Sequence, residues 1–398
     1  VRRDIAQTDE VTPYAARTAL AKKWGSPFWL NMYYAPALED YEAMLASPEQ
    51  AGAFRYVEHD ENDPVSMCYT SGTTGRPKGV VYSHRSTVLH SLVASLPDSV
   101  RLGSRDVVLP VTPMFHANSW GVPYAAVMNG ARLVFPGPHL HPDDLLDLMQ
   151  VEPPTLSLGV PTIWLSLIQT YEAHPGRWKL PEGMRSLVGG SAAPESLIRA
   201  FARNGIELAQ GWGMTETSPL ATVFNRKPEL VDADEDEWFR LRALQGVPVP
   251  LVDIRIVDDE GRICPWDGQT VGELQTRGPY ITGSYHGDGD DPEKFTEDGW
   301  LRTGDVAAID PHGFMRIADR TKDLIKSGGE WISSVDLENA IMAHPAVAEA
   351  AVIAVPHPKW AERPLACVVL KPGATLEPDA LREHLSGAFA SWQLPDGI

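Results

Sequence analysis

Along most of the chain, short apolar runs alternate with stretches in which apolar residues return at helical spacing, a pattern that predicts strands and helices wound into an α/β sheet. Residues 107–110, 132–135, 155–160, 186–188 and 206–209 are the strand candidates. Between the last two, Pro194 opens a helix that places Leu197 and Phe201 on one face, and Gly205 closes it as a left-handed cap. Gly189 and Gly190 therefore fall where a strand feeds a helix N-terminus, the usual ligand crevice of an open sheet. A tight turn without any ligand satisfies the same two glycines.

The texture changes beyond residue 300. Ser333 and Asp336 have capping-box spacing, with Ile332 and Leu337 as the hydrophobic staple. The helix they start carries Leu337 and Ile341 on one face and stops at Pro345. Strands at 347–355 and 366–370 follow, then Leu381, Leu385 and Phe389 as one helical face. These elements predict a small α+β domain at 319–398, divided from a large domain at 1–318 by the charged, turn-prone stretch 318–323. Two acidic segments, 232–237 and 287–291, predict solvated loops, and neither has the spacing of a calcium loop.

Charge narrows the choice of ligand. The 34 Lys and Arg stand against 53 Asp and Glu, a formal net charge of −19. That balance argues against nucleic acid or an anionic bilayer as a target of bulk attraction, so any phosphate ligand must be held by a local device. Three cysteines, Cys68, Cys264 and Cys367, are odd in number and form no CxxC pair, which predicts reduced thiols in the cytoplasm and no zinc site. No apolar run is long enough to span a bilayer. The start, Val1-Arg2-Arg3-Asp4, has no signal-peptide character, and both ends read as the interior of a longer chain.

The strongest chemical feature is Tyr69-Thr70-Ser71-Gly72-Thr73-Thr74-Gly75-Arg76-Pro77-Lys78-Gly79-Val80. Glycines, hydroxyls and one lysine directly after an apolar run suit a loop whose backbone N–H groups and hydroxyls wrap a polyphosphate, with Lys78 supplying positive charge. A Walker A motif cannot be laid on it. A flexible linker would share the Gly/Ser/Thr content, but not Arg76-Pro77-Lys78 followed by a strand start.

This stretch resembles the phosphate-loop signature of the adenylate-forming superfamily of acyl-CoA synthetases, adenylation domains and luciferases. Further look-alike motifs follow in the family's order: Gly189-Gly190-Ser191-Ala192, Gln210-Gly211-Trp212-Gly213-Met214-Thr215-Glu216, Gly272-Glu273-Leu274, Trp300-Leu301-Arg302-Thr303-Gly304-Asp305 and Asp319-Arg320-Thr321-Lys322-Asp323. Met114-Phe115-His116-Ala117-Asn118-Ser119-Trp120 and Lys326-Ser327-Gly328-Gly329-Glu330-Trp331 look most like bacterial fatty-acyl-CoA synthetases. The resemblance implies an α/β fold, a large multi-sheet adenylate-forming domain and a small mobile α+β domain, both truncated here. It also implies a ligase that uses ATP, Mg²⁺ and CoA to turn a fatty acid into acyl-AMP and then acyl-CoA.

Residue by residue, the resemblance implies Thr70 and Glu216 at the metal, and Ser71, Gly72, Thr73, Thr74 and Lys78 around the phosphates. Thr215 would bond the α-phosphate, Trp212 would offer a flat face to adenine, and Gly190, Gln210 and Gly211 would line base and sugar. Asp305 and Arg320 would hold the ribose, Asp319 would be the hinge of the small domain, and Lys322 and Lys326 would approach the nucleotide in a closed state. His116 and Ala117 would lie beside the carboxylate and α-phosphate. Trp120 would gate the acyl tunnel, walled from 110–113 and 156–160, Gly328 and Gly329 would allow close approach of the pantetheine arm because they lack Cβ, and Trp331 would be a cofactor-binding residue. The family's catalytic lysine lies in a C-terminal Gly-Lys motif, and the chain ends at Ile398 before one, so weak adenylation is expected of it. The resemblance further implies a homodimer and leaves room for a weak peripheral membrane contact. An adenylation domain that loads a carrier protein, and a catalytically inactive nucleotide-binding protein, are the competing readings.

Overall fold

The computed structural model describes residues 58–70, 77–230, 232–287, 293–320, 325–327 and 330–398. The chain divides into two compact units, Val1–Asp60 and Glu61–Ile398, and the architecture below is that of the second.

The centre of this unit is a seven-stranded sheet in the order β4-β3-β5-β6-β7-β8-β9. Its strands are β3 (Val107–Pro110), β4 (Arg132–Leu133), β5 (Leu156–Gly159), β6 (Arg185–Val188), β7 (Glu207–Gly213), β8 (Leu220–Val223) and β9 (Val247–Pro248). From β4 to β7 the pairing is parallel, and β8 and β9 join antiparallel. Central strands of such a sheet are buried on both faces and read as continuous apolar runs, and all five candidate segments fall on strands β3 to β7. Two bounds differ. The strand expected at 132–135 ends at Leu133, and the one expected at 206–209 runs on to Gly213 because its second half finds a new antiparallel partner in β8.

Two layers of helices cover the sheet. On one face α1 (His84–Ser95) and α2 (Val122–Asn129) bring Val93, Ala94, Val122, Ala125 and Ala126 against Leu156, Leu158 and Leu187. On the other face lie α3 (Pro142–Val151), α4 (Pro161–Ala173) and α5 (Glu195–Arg203), whose Leu145, Leu146, Trp164 and Phe201 pack on Leu109, Val188 and Leu208. The helix expected to open at Pro194 starts one residue later, with Pro194 at its cap and Gly205 at φ 75° just past its end.

One acidic segment departs from expectation. Residues 235–237 begin α6 (Glu235–Arg242), and the Asp234 side chain caps it by accepting from the Glu237 N–H at 2.8 Å. Three carboxylates in a first turn are favoured by the helix dipole, so a charge run that reads as loop folds as a helix start. Residues 288–291 of the second acidic segment lie outside the described residues.

Three smaller sheets surround this core. β1 (Pro64–Thr70) and β2 (Lys78–Ser83) form an antiparallel hairpin. β10 (Asp253–Val257), β11 (Gly272–Arg277), β12 (Leu301–Ile309) and β13 (Met315–Arg320) form an antiparallel sheet in that order, and Ile254, Ile256, Leu274, Ala307 and Ile309 extend the first helical core. The C-terminal part has its own core. β14 (Ile325–Ser327), β15 (Glu330–Ile332), β16 (Val347–His357) and β17 (Ala361–Leu370) pair in the order β15-β14-β17-β16. Against them lie α7 (Ser334–Met342), capped by Ser333 as expected, and α8 (Pro378–Ser386). Phe389 lies beyond α8 yet packs on the same cluster as Leu381 and Leu385.

Candidate active site

The expected phosphate loop is the connection of a hairpin. Thr70 ends β1 and Lys78 begins β2, and the two are paired directly across the ladder. Ser71, Gly72, Thr73 and Thr74 lie between them and outside the described residues. A hydroxyl-bearing and an ammonium-bearing residue thus stand at the two strand ends that flank the loop.

From these strand ends a chain of contacts runs to Glu216. The Lys78 Nζ stands 4.7 Å from the centre of the Tyr285 ring, and the Tyr285 hydroxyl donates to Glu216 Oε1 at 2.7 Å. Glu216 lies in a short 3₁₀ turn, Thr215–Thr217, and is only 5 % exposed. The turn is anchored on two sides: the Tyr82 hydroxyl donates to the Thr215 carbonyl at 2.8 Å, and the Thr282 N–H donates to the Glu216 carbonyl at 2.8 Å. No ion pair reaches the Glu216 carboxylate among the described residues. A buried carboxylate is costly unless charge is returned to it, so one with a single oxygen held by a tyrosine suits a hard cation at the other. No cluster of three or more His, Cys, Asp or Glu able to hold a metal exists among the described residues. A magnesium ion held by Glu216 would take the rest of its shell largely from phosphate oxygens and water, as is usual for that ion.

A second group of expected residues meets where β7 approaches β12. The Trp212 indole N–H donates to Asp305 Oδ2 at 2.8 Å. Asp305 and Arg320 are cross-strand partners of β12 and β13, which puts the proposed ribose pair side by side in the ladder. Of the Arg320 side chain nothing more is described. Gly190 has φ 85°, a conformation that favours glycine at the crevice edge.

The Gln210 side chain is engaged by the backbone on both sides. It is wholly buried; its Oε1 accepts from the Ala193 N–H at 2.7 Å and its Nε2 donates to the Ala243 carbonyl at 3.2 Å. With both ends engaged, its amide holds the 190–193 loop in place.

The segment from Ala117 to Gly121 is a left-handed turn: φ is 45°, 51°, 53°, 57° and 68° for Ala117, Asn118, Ser119, Trp120 and Gly121. Four non-glycine residues in that region cost strain that the surroundings must offset. The Asn118 amide donates to Ser66 Oγ at 2.7 Å, and the Ser119 hydroxyl donates to the Thr112 carbonyl at 2.7 Å. Exposed His116 precedes the turn, and the Trp120 ring packs over Gly189, where a Cβ would come within 3.4 Å of it. Below Trp120, the two-residue period of β6 and β7 aligns Gly189, Leu187 and Arg185 beside Gly211, Ala209 and Glu207. A cavity of about 250 Å³ at the far end of this column is lined by Val100, Leu156, Leu187, Ala209, Arg185 and Glu207.

In the C-terminal part, Lys326 and Trp331 are paired across β14 and β15, and the Lys326 N–H donates to Glu362 Oε2 at 2.8 Å. Asp319 is buried in β13, where its Oδ2 accepts from the Ser334 N–H and hydroxyl, both at 2.7 Å. Lys322 lies outside the described residues, and so does the Trp331 side chain. Tyr285 and Tyr82 were not among the expected site residues; each is a lone tyrosine between motifs, with no spacing to mark it.

The chain belongs to the AMP-binding enzyme family, whose model matches residues 9–286, with the AMP-binding enzyme C-terminal domain at 336–398. It is 53 % identical over 360 residues to a long-chain-fatty-acid–CoA ligase of Thermus thermophilus, and 46 % over 366 residues to a 3-methylmercaptopropionyl-CoA ligase of Ruegeria lacuscaerulensis. The matches cover 88 % and 91 % of this chain, which spans 66 % of the length of either relative. Among solved structures, O-succinylbenzoate coenzyme A synthetase from Bacillus subtilis, in complex with ATP and magnesium ion, superposes with a TM-score of 0.71 at 27 % identity. That match covers 86 % of this chain and 68 % of the other. No helix among the described residues is long and apolar enough to cross a membrane.

Proposed function

We propose that the protein is a fatty-acid–CoA ligase that forms AMP. In the first half-reaction a fatty-acid carboxylate oxygen attacks the α-phosphorus of ATP, the bond to the bridging oxygen breaks, and pyrophosphate leaves with its electron pair. In the second, the CoA thiol gives up its proton and attacks the acyl carbonyl, and AMP leaves. Magnesium, when bound, neutralises phosphate charge beside Glu216 and Thr70.

The observation that carries this reading is the connected set Thr70, Lys78, Tyr285 and Glu216, a hydroxyl, a cation and a buried carboxylate around one loop mouth. Trp212 and the Asp305–Arg320 ladder pair supply the base and ribose side. The acyl chain takes the column beneath Trp120, and the name of the Thermus relative supports a fatty acid as its source. Asp319 serves as the hinge between a large domain ending at residue 318 and a small one, because its carboxylate is the link from β13 to the start of α7. Three free cysteines, Cys68, Cys264 and Cys367, suit the cytoplasm. A homodimer is checked by analytical ultracentrifugation, and weak membrane contact by flotation with neutral vesicles.

The decisive experiment measures fatty-acid-dependent exchange of pyrophosphate into ATP, and then thioester formation with CoA or with a phosphopantetheinyl carrier protein. A panel of acids from short thioether acids to long fatty acids is included. Exchange with fatty acids and thioester formation on CoA are expected; transfer only to the carrier protein, or no exchange with any acid, overturns the reading.

A further inference from the structure

Tyr285 stands between the two groups that the proposed function places at the phosphates and the metal. Its hydroxyl donates to Glu216 Oε1 at 2.7 Å, and the Lys78 ammonium lies over its ring at 4.7 Å. The ring is 4 % exposed, in a small cluster with Cys68, Val80 and Tyr82. The chain on either side is pinned to the elements that carry those two groups: the Thr282 N–H donates to the Glu216 carbonyl at 2.8 Å, and the His286 N–H donates to the Gly79 carbonyl at 2.8 Å. Tyr285 is therefore held at a fixed position relative to both β2 and the Glu216 turn.

A glutamate that binds a cation alone has a weakness. Its last torsion is broad, so the carboxylate plane is poorly defined, whereas magnesium demands near-octahedral geometry. A hydrogen bond to one oxygen removes that freedom and turns the other toward the phosphates. A cation over the ring also draws on its electron density, which makes the phenol a better donor. We propose that Tyr285 is the positioning residue for Glu216, orienting its carboxylate for the metal–ATP complex while its ring seats Lys78. This inference rests on the assignment of Glu216 to the metal, so the test separates the two.

The probe is Mn²⁺ with ATP, followed by electron paramagnetic resonance on the full-length protein. Tyr285→Phe removes one oxygen and keeps the ring beneath Lys78. Affinity for Mn²⁺ in the presence of ATP is expected to fall about tenfold, the lower end of what loss of an outer-shell partner costs. The KM for Mg·ATP should rise to match, whereas thioester formation from supplied acyl-AMP and CoA stays at the wild-type rate. In a Glu216→Gln background the Tyr285→Phe change should have no further effect on metal affinity. Wild-type Mn²⁺ affinity in Tyr285→Phe overturns the inference and leaves the proposed function standing. Absence of Mn²⁺–ATP binding by the wild type overturns both. If Tyr285→Phe does not fold, 3-fluorotyrosine at 285 keeps the shape and sharpens the donor; an Mn²⁺ affinity equal to wild type then counts against the proposal.

Discussion

His90 is an example of a residue whose chemistry follows from its surroundings. It is 2 % exposed, its Nε2 accepts from the Leu220 N–H at 3.2 Å, and its ring stands edge-on to Tyr280, whose hydroxyl donates to the Leu220 carbonyl. Burial pulls its pKa down from the ordinary 6.5 to about 4, because the imidazolium would be desolvated. Between those two values the unfolded chain takes up a proton that the native state refuses. Stability therefore falls as pH falls through that window, by about 3 kcal/mol in all, and changes no further from this source below it. His90→Gln, which keeps an acceptor but cannot titrate, should flatten the corresponding part of a plot of denaturation midpoint against pH. On the nucleotide side, Trp212→Phe deletes the N–H that holds Asp305 at 2.8 Å, and a lost hydrogen bond to a charged group implies about a tenfold weaker ATP complex in a calorimetric titration. Trp212, Glu216 and Asp305 were legible in the sequence because each sits in a dense local motif. Tyr285 and His90 were not, since a buried tyrosine or histidine acquires its partners only through contacts across 69 and 130 residues of chain. For Gln210 the motif does not show where the amide goes: burial gives it the backbone of Ala193 and Ala243 as partners.

At the level of elements, the left-handed turn from Ala117 to Gly121 is where strain and packing meet. Gly121 closes it at φ 68°, and a Cβ there would stand 2.7 Å from Nδ1 of the buried His90 ring. Both the backbone conformation and the collision oppose a side chain, so Gly121→Ala should cost about 2 kcal/mol or more in urea denaturation. Nothing in the sequence announces this turn, because three of its members are Asn118, Ser119 and Trp120, ordinary helix or loop residues held by Ser66 and Thr112. The parallel strands were legible for the opposite reason, their apolar runs being set by burial on two faces. The column they form under Trp120 allows a specificity test. Ala209 lies between Gly211 and Glu207 on the cavity side of β7, so Ala209→Phe should fill the path and depress kcat/KM for long acids at least about tenfold more than for short ones. An equal loss for all chain lengths would place the acyl group elsewhere.

For the molecule as a whole, the net charge of −19 and the proposed anionic substrate, Mg·ATP, pull in opposite directions. Lys78, at the start of β2 and over the Tyr285 ring, supplies positive charge beside Glu216, whereas carboxylates such as those in the first turn of α6 lie at the surface. These two sources of field have different ranges. Contacts at the loop mouth are short and partly shielded from water, so salt weakens them little. The repulsion from the surface acts over a Debye length, which shrinks from about 30 Å at 0.01 M to about 8 Å at physiological ionic strength. Raising salt between those limits should remove the long-range barrier before it touches the local attraction. The association rate of Mg·ATP is accordingly expected to rise, by about twofold or more, with the dissociation rate nearly constant. Stopped-flow fluorescence with a labelled ATP analogue reads both rates. A fall in the association rate with salt would mean that Lys78 steers the nucleotide from a distance, and that the overall charge has no part in recognition.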